Sequence, residues 1–429
     1  MSPKIDRRTY LRGVGGMGAA TTVGLMGNLQ QGGGPDMLTV IGYPQSGIQL
    51  FRDFYAMGGT QNLDVLVPDG LQDPSLPQQV GNDMQNVTGT VPAAAGPNRQ
   101  AFVRLFKNQY NQDPGVFTSQ SYDSVAILIL ANAAAGENSG PAIRQQMRRV
   151  ANPPGKEFGP QNFIEAVRAA ANGEDINYQG ASSTTNFDDR GGPASAAYDV
   201  WKFAPQTEAG VRIVNTRRFE GNAGGPSANS APGGLGRTIR VGILLPETGD
   251  LGSVGGPMIQ ASRIPIQQVN QANIDLQVET QVEDTQTDRQ ASISGANALV
   301  NAGYPAVSGP ASSGNNIPVS TEVFIPNEIV GCSPSSTAIT VARLQDNDFI
   351  FRTAPSDLLQ GNVMGQVAAE RFGAQSASTL FVNNDYGQQL SNQFATSFQE
   401  DYDGQILNQV AFNIGESSYT SVLNQALQR

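Results

Sequence analysis

What most limits the folds open to this chain is its rhythm. Short apolar runs rich in β-branched residues alternate with longer stretches whose apolar positions recur every three to four residues. Residues 239–245 read as a buried strand, closed by Pro246-Glu247-Thr248-Gly249. Residues 257–270 follow with helical spacing (Met258, Ile259, Ala261, Ile264, Ile266, Val269), then a strand at 276–282 and a helix at 291–302. The alternation continues to the end, with strands at 306–309, 329–332, 349–352, 379–382 and 405–412 between helices at 320–327, 358–372, 387–401 and 419–427. The front of the chain repeats it: strands at 37–41, 65–67 and 197–203, helices at 46–57, 99–110, 121–135 and 163–171. Strands alternating with helices argue for parallel sheets covered on both faces, an α/β architecture.

Composition narrows the chemistry. No His is present, which removes Ser-His and Cys-His machinery and imidazole metal ligands. The single Cys, Cys332, excludes an intramolecular disulfide and a thiolate cluster. It sits in an apolar strand and reads as a buried small hydrophobe. A net charge of −11 argues against nucleic acid as a partner. Lys occurs only at positions 4, 107, 156 and 202, and scarce Lys in an acidic chain hints at a high-salt, haloarchaeal-like origin.

Residues 1–34 carry targeting chemistry. The twin arginines Arg7 and Arg8 precede a small, uncharged, glycine-rich stretch too short to span a membrane. This resembles a twin-arginine export signal, so an exported, extracytoplasmic protein is expected. Asn28 stands where a lipoprotein box would place its Cys, which argues against a lipid anchor. Residues 220–236, a Gly/Ser/Pro/Asn run, read as a flexible, solvated linker.

Six segments of the second block resemble the Leu/Ile/Val-binding substrate-binding proteins of ABC importers: 239–255, 282–299, 308–322, 329–337, 351–357 and 382–387. The elements that follow these in that family lie instead at the front, at 39–47, 65–71, 121–125, 187–191 and 198–203. The resemblance therefore implies a type I periplasmic-binding-protein fold, two Rossmann-like lobes with parallel sheets joined by a hinge, circularly permuted. On that reading 35–117 is a second-lobe part and 118–176 a first-lobe part, with 177–219 a closing segment shared with the hinge. Residues 220–237 link the family's usual termini, 238–357 form the first lobe, and 358–429 return to the second.

Two hydroxyl-rich loops, Ser312-Ser313-Gly314 and Ser335-Ser336-Thr337, each follow a strand and precede a helical stretch. Alone they read equally as helix N-caps. The resemblance implies that Ser313 and Thr337 donate hydroxyls to a ligand carboxylate, Ser335 and Ser336 offer backbone groups, and Ser312 lies beside them. Asp69, alone a Pro-Asp-Gly turn residue, occupies the family position that pairs with a ligand ammonium. Tyr386 and Tyr43 match aromatics that cover the ligand, or are ordinary loop aromatics. Val254 falls where some relatives carry a larger ring.

The expected function is an extracytoplasmic solute-binding protein that captures a branched-chain or related amino acid, or an amide, and delivers it to an ABC importer permease. Its partners would be that small ligand and the permease, with a monomer as the working state. No cofactor, metal or catalytic residue is expected, because the adjacent acids Asp188-Asp189 and Glu283-Asp284 have no complementary acid or base placed near them. A permuted scaffold or sensor that keeps the fold without transport is the alternative.

Overall fold

Continuous apolar strands need helices on both faces, and two such sheets organise the chain. The computed structural model describes residues 34–58 and 60–428. The export-type segment, with Arg7, Arg8 and Asn28, lies outside the described residues. One sheet has seven strands in the order Gln405–Phe412, Ser376–Val382, Met37–Ile41, Asp64–Val67, Val87–Pro92, Ala196–Phe203, Val211–Phe219. Its first five strands are parallel and the last two antiparallel. The other sheet has five parallel strands, in the order Val282–Asp284, Gly242–Leu245, Ala306–Ser308, Val330–Ser333, Ile350–Arg352. Each sheet has its own hydrophobic core.

The helix Thr118–Ala135 shows why composition and position agree. It is buried at every residue, apolar all round over Val125–Ala131 but polar in its first two turns, and is pressed against the five-stranded sheet. Its Ser124 hydroxyl shares a 2.8 Å hydrogen bond with Ser308 and donates to the Cys332 carbonyl at 2.7 Å. Cys332 is fully buried, as its apolar strand predicts, and burial pushes its thiol up to about 12.

The front of the chain docks directly on its end. Met37 pairs in register with Ala377, and the Asp36 carboxylate accepts from the backbone N–H groups of Gln375 and Ser376 at 3.0 and 2.8 Å. The Leu427 carbonyl oxygen lies 2.9 Å from where a Cβ on Gly34 would stand, so the two described ends meet.

The chain crosses between the cores four times: between Val91 and Phe102, between Phe187 and Tyr198, between Phe203 and Ile239 by way of residues 220–236, and between Ala354 and Val363. Tyr198 ties two crossings together by donating to the Ser356 carbonyl at 2.7 Å. The first crossing comes earlier than the boundary at residue 117. Phe102 and Phe106, one turn apart on the helix Arg99–Tyr110, bury in the core of the five-stranded lobe. The start of the 177–219 segment stays with that lobe too, through Tyr178, Ala181 and Phe187. Periodicity reveals that a helix has an apolar face but not which core receives it.

The linker corrects a second expectation. Residues 220–236 are not a free connector but lie along the five-stranded lobe. Gly224, Ala228 and Gly233 donate backbone N–H groups to the carbonyls of Phe187, Gln145 and Ala134 at 2.9, 3.1 and 2.8 Å. Backbone amides hold it, and a Gly/Ser/Pro composition carries those amides without announcing their use.

Candidate functional site

The first serine loop forms because the strand beneath it ends in backbone that few residues can adopt. Gly309 has φ +122, and a Cβ there would stand 2.0 Å from the Leu244 carbonyl oxygen. Only glycine lets the strand Ala306–Ser308 turn sharply into Ala311-Ser312-Ser313. Across the cleft, Asp69 follows the strand Asp64–Val67 and Tyr43 follows Met37–Ile41. Both lobes thus present loops at the carboxyl ends of parallel strands, where open α/β sheets leave a crevice.

A small pocket, with a cavity volume of about 30 Å³, lies between them. Its polar lining is Tyr43, Asp69, Ser312, Ser313, Ser335 and Tyr386. Six of the eight residues singled out from the sequence are therefore brought together. Ser336 and Thr337 are not on the lining; both are fully buried behind it. Ser336 donates its hydroxyl to Ser313 Oγ at 3.1 Å, and Ser313 Oγ also accepts from the Ala338 N–H at 3.2 Å. Ser312 stands at a helix N-cap position without capping it. Its hydroxyl instead shares a 2.9 Å hydrogen bond with Tyr43 OH from the other lobe.

The remaining wall is apolar, made of Val116, Phe117, Leu251, Val254 and Met258. Of these the sequence pointed only to Val254. Phe117 carries the one signal that was available: it follows an Asp113-Pro114-Gly115 turn and is held at φ +57, an uncommon conformation for a bulky residue. Tyr43 and Tyr386 stack over the pocket, ring centroids 5.8 Å apart and planes 10° apart. Burial raises both phenols, Tyr43 to about 12.

Asp69 is 4% exposed. Its Oδ1 accepts from Gln360 Nε2 at 2.7 Å, and its Oδ2 accepts from Tyr386 OH at the long distance of 3.4 Å. Burial pushes its carboxyl up to about 6. A carboxylate this enclosed, with one short hydrogen bond and one long one, calls for a positive partner. At the opposite rim, Asp250 accepts from the Ser46 hydroxyl and N–H at 2.8 and 3.3 Å. The helix Pro44–Ala56 has no side-chain cap of its own, so this carboxylate from the other lobe supplies the acceptor at its N-terminus. Among the described residues, no group of three or more His, Cys, Asp or Glu gathers to hold a metal ion.

The model of the periplasmic binding protein family matches residues 27–174 and 238–429. The chain belongs to that family, and its two parallel sheets joined by crossings of the chain are the type I fold of such proteins. The Leu-, Ile-, Val-, Thr- and Ala-binding protein of Pseudomonas aeruginosa is 26% identical over 165 residues, covering 38% of this chain and 44% of that protein. The Leu/Ile/Val-binding protein homolog 1 of Brucella abortus is 29% identical over 166 residues, again 38% and 44% of the two chains. A crystal structure of the branched-chain amino acid transporter substrate-binding protein of Streptococcus pneumoniae with isoleucine is 25% identical. It covers 44% of this chain and 53% of that one at a TM-score of 0.38. The chain spans less than half the length of the curated relatives it matches.

Proposed function

We propose that this protein is an exported solute-binding protein that closes on a free amino acid with an aliphatic side chain and passes it to an ABC importer. One observation carries the reading: Asp69 faces the serine loops across a single apolar-walled pocket. The ligand ammonium would pair with Asp69. Its carboxylate would be met by Ser312, Ser313 and Ser335, with Ser336 and Thr337 bracing that loop from behind. Val116, Leu251, Val254 and Met258 would surround a branched aliphatic side chain, and the Tyr43–Tyr386 stack would cover it. An anionic ligand lacking an ammonium is disfavoured by the uncompensated Asp69. The name of the Pseudomonas relative, which binds leucine, isoleucine, valine, threonine and alanine, supports the same class.

The chain order fits a circular permutation. Its support is the parallel pairing of Met37–Ile41 with Ser376–Val382, which joins the front block and the second block in one sheet. Among the described residues no helix is long and apolar enough to cross a membrane. Export through the Arg7-Arg8 signal and a monomeric working state complete the reading.

Isothermal titration against the twenty amino acids tests it. L-leucine, L-isoleucine or L-valine is expected to bind in the micromolar range or tighter. A flat response to all twenty would leave a scaffold or sensor that keeps the fold without transport.

A further inference from the structure

The hydrogen bond between Tyr43 and Ser312 uses one of the two hydroxyl protons present, and a third residue decides which. Asn384 caps the helix Asp385–Tyr402 in the lobe of the seven-stranded sheet. Its Oδ1 accepts the Gly387 N–H at 3.0 Å, the usual task of Asn at that position. An amide whose oxygen is spent on the cap has only its NH2 group to turn the other way. That group donates to Tyr43 OH at 3.0 Å. Gly314 in the opposite lobe leaves room for it, since a Cβ there would stand 3.1 Å from the Asn384 Cβ. One side chain is thus both a helix cap and a donor of fixed direction.

The direction of the next hydrogen bond follows. Tyr43 is 3% exposed, and burial pushes its phenol up to about 12, so it keeps its proton at ordinary pH. Among the described residues its hydroxyl meets only Asn384 and Ser312. Asn384 presents no acceptor on that side. The phenol proton therefore goes to Ser312 Oγ, 2.9 Å away, because a buried donor left without an acceptor is costly. Ser312 lines the pocket, and once its oxygen has accepted from Tyr43, its own proton has no acceptor among the described residues.

We propose that Asn384 is a positioning residue for the ligand carboxylate: by donating to Tyr43 it commits the Tyr43 proton to Ser312 and leaves the Ser312 hydroxyl to donate into the pocket. The inference rests on the amino-acid reading above. A carboxylate only accepts, so it needs the donor end of this relay and is repelled by the reverse arrangement. Were Asn384 an acceptor, the Tyr43 proton would turn to it, Ser312 would donate to Tyr43, and a lone pair would face the ligand. The relay has members on both lobes, so it is complete only when they meet, and the Ser312 rotor is then set before the ligand orders it.

Two measurements decide it. A neutron structure of the perdeuterated protein without ligand should show an Asn384 amide deuteron aimed at Tyr43, the Tyr43 deuteron at Ser312 Oγ, and the Ser312 deuteron into the pocket. A Tyr43 deuteron aimed elsewhere would overturn the proposal. Titration with L-leucine supplies the second readout. Asn384→Ser keeps a hydroxyl acceptor for the helix cap but is too short to hold a donor on Tyr43, so affinity should fall about fivefold at an unchanged melting temperature. Asn384→Asp keeps the cap and reverses the relay, and its affinity should fall by about tenfold or more. In a Tyr43→Phe background the relay is already cut, and adding Asn384→Ser should change affinity less than about twofold. An equal loss in both backgrounds would mean that Asn384 acts only as a helix cap and would also overturn the proposal. Failure of L-leucine to bind the parent would count against the amino-acid reading, while the deuteron positions still decide the relay.

Discussion

Asp69 and Asp123 are both buried, and burial pushes each carboxyl up to about 6, yet they sit in opposite kinds of surroundings. Asp123, in the core of the five-stranded lobe, accepts from Tyr178 OH, the N–H groups of Ala181 and Ser182, and the Ser182 hydroxyl at 2.9, 3.0, 2.7 and 2.6 Å. Its four donors come from one lobe and leave nothing for a ligand to add. Asp69 has one short hydrogen bond, one long one, and a pocket in front of it. Equal burial thus separates a structural carboxylate from a receptive one only when the donors are counted.

The comparison breaks or holds on one pair of variants. Asp69→Asn keeps the shape and removes the charge, so L-leucine affinity is expected to fall more than a hundredfold, about 3–5 kcal/mol. The melting temperature without ligand should hold or rise. Asp123→Asn should do the reverse. It turns an NH2 group toward donors that need an acceptor, at a cost of about 2–5 kcal/mol in urea unfolding, while the folded fraction still binds. An Asp123→Asn protein as stable as the parent would erase the distinction.

Much of this was legible in the chain and some was not. The strand–helix rhythm pointed to parallel sheets but passed over the strands Val87–Pro92 and Val211–Phe219, and the family resemblance singled out Asp69, Tyr43, Tyr386, Ser312, Ser313 and Ser335, which the structure brings to one pocket. The difference between the two aspartates was not legible. Asp69 lies in Val67-Pro68-Asp69-Gly70 and Asp123 in Ser121-Tyr122-Asp123, and neither string says how many N–H groups will converge on it. Those around Asp123 arrive from residues 178–182, more than fifty positions on. Met258 was read as one position of a helix face and Leu251 was given no role of its own, and only the approach of the second lobe makes them pocket wall. Gln360 stayed unseen for the same reason: its partner Asp69 lies almost 300 residues away.

The pH dependence sharpens the contrast at a smaller scale. A folded carboxyl near 6, against an ordinary 3.8, binds its proton more tightly than the unfolded chain does. The resulting destabilisation is absent below about pH 4, grows as pH rises through about 6, and is complete above that. Two units correspond to about 3 kcal/mol, reduced by whatever relaxation the pocket allows. The stability of Asp69→Asn relative to the parent should therefore be near zero at pH 4 and rise to about 1–3 kcal/mol at pH 7. A difference that stays flat across that window would mean Asp69 ionises freely in the folded protein.

The smallest expected effect lies at the far rim of the same cleft, where Ser46 and Asp250 join the lobes. Ser46 donates its hydroxyl to Asp250 at 2.8 Å and accepts from the Gly415 N–H at 3.2 Å, so Ser46→Ala removes both contacts without touching the pocket lining. The Asp250 carboxylate keeps only the longer 3.3 Å bond from the Ser46 N–H. A hydrogen bond of this kind contributes about 1 kcal/mol net. Because it exists only when the lobes are together, its loss shifts the open–closed balance rather than the intrinsic fit of the ligand. Affinity for L-leucine should fall about fivefold through that shift, since apparent affinity scales with the fraction able to close. Small-angle scattering without ligand should show a larger radius of gyration than the parent, and the difference should disappear at saturating L-leucine. Unlike Asp69→Asn, the variant should keep the parent's pH dependence of binding, because Asp69 is unchanged. A loss as large as that of Asp69→Asn would place the decisive contact at the rim and not at the buried carboxylate.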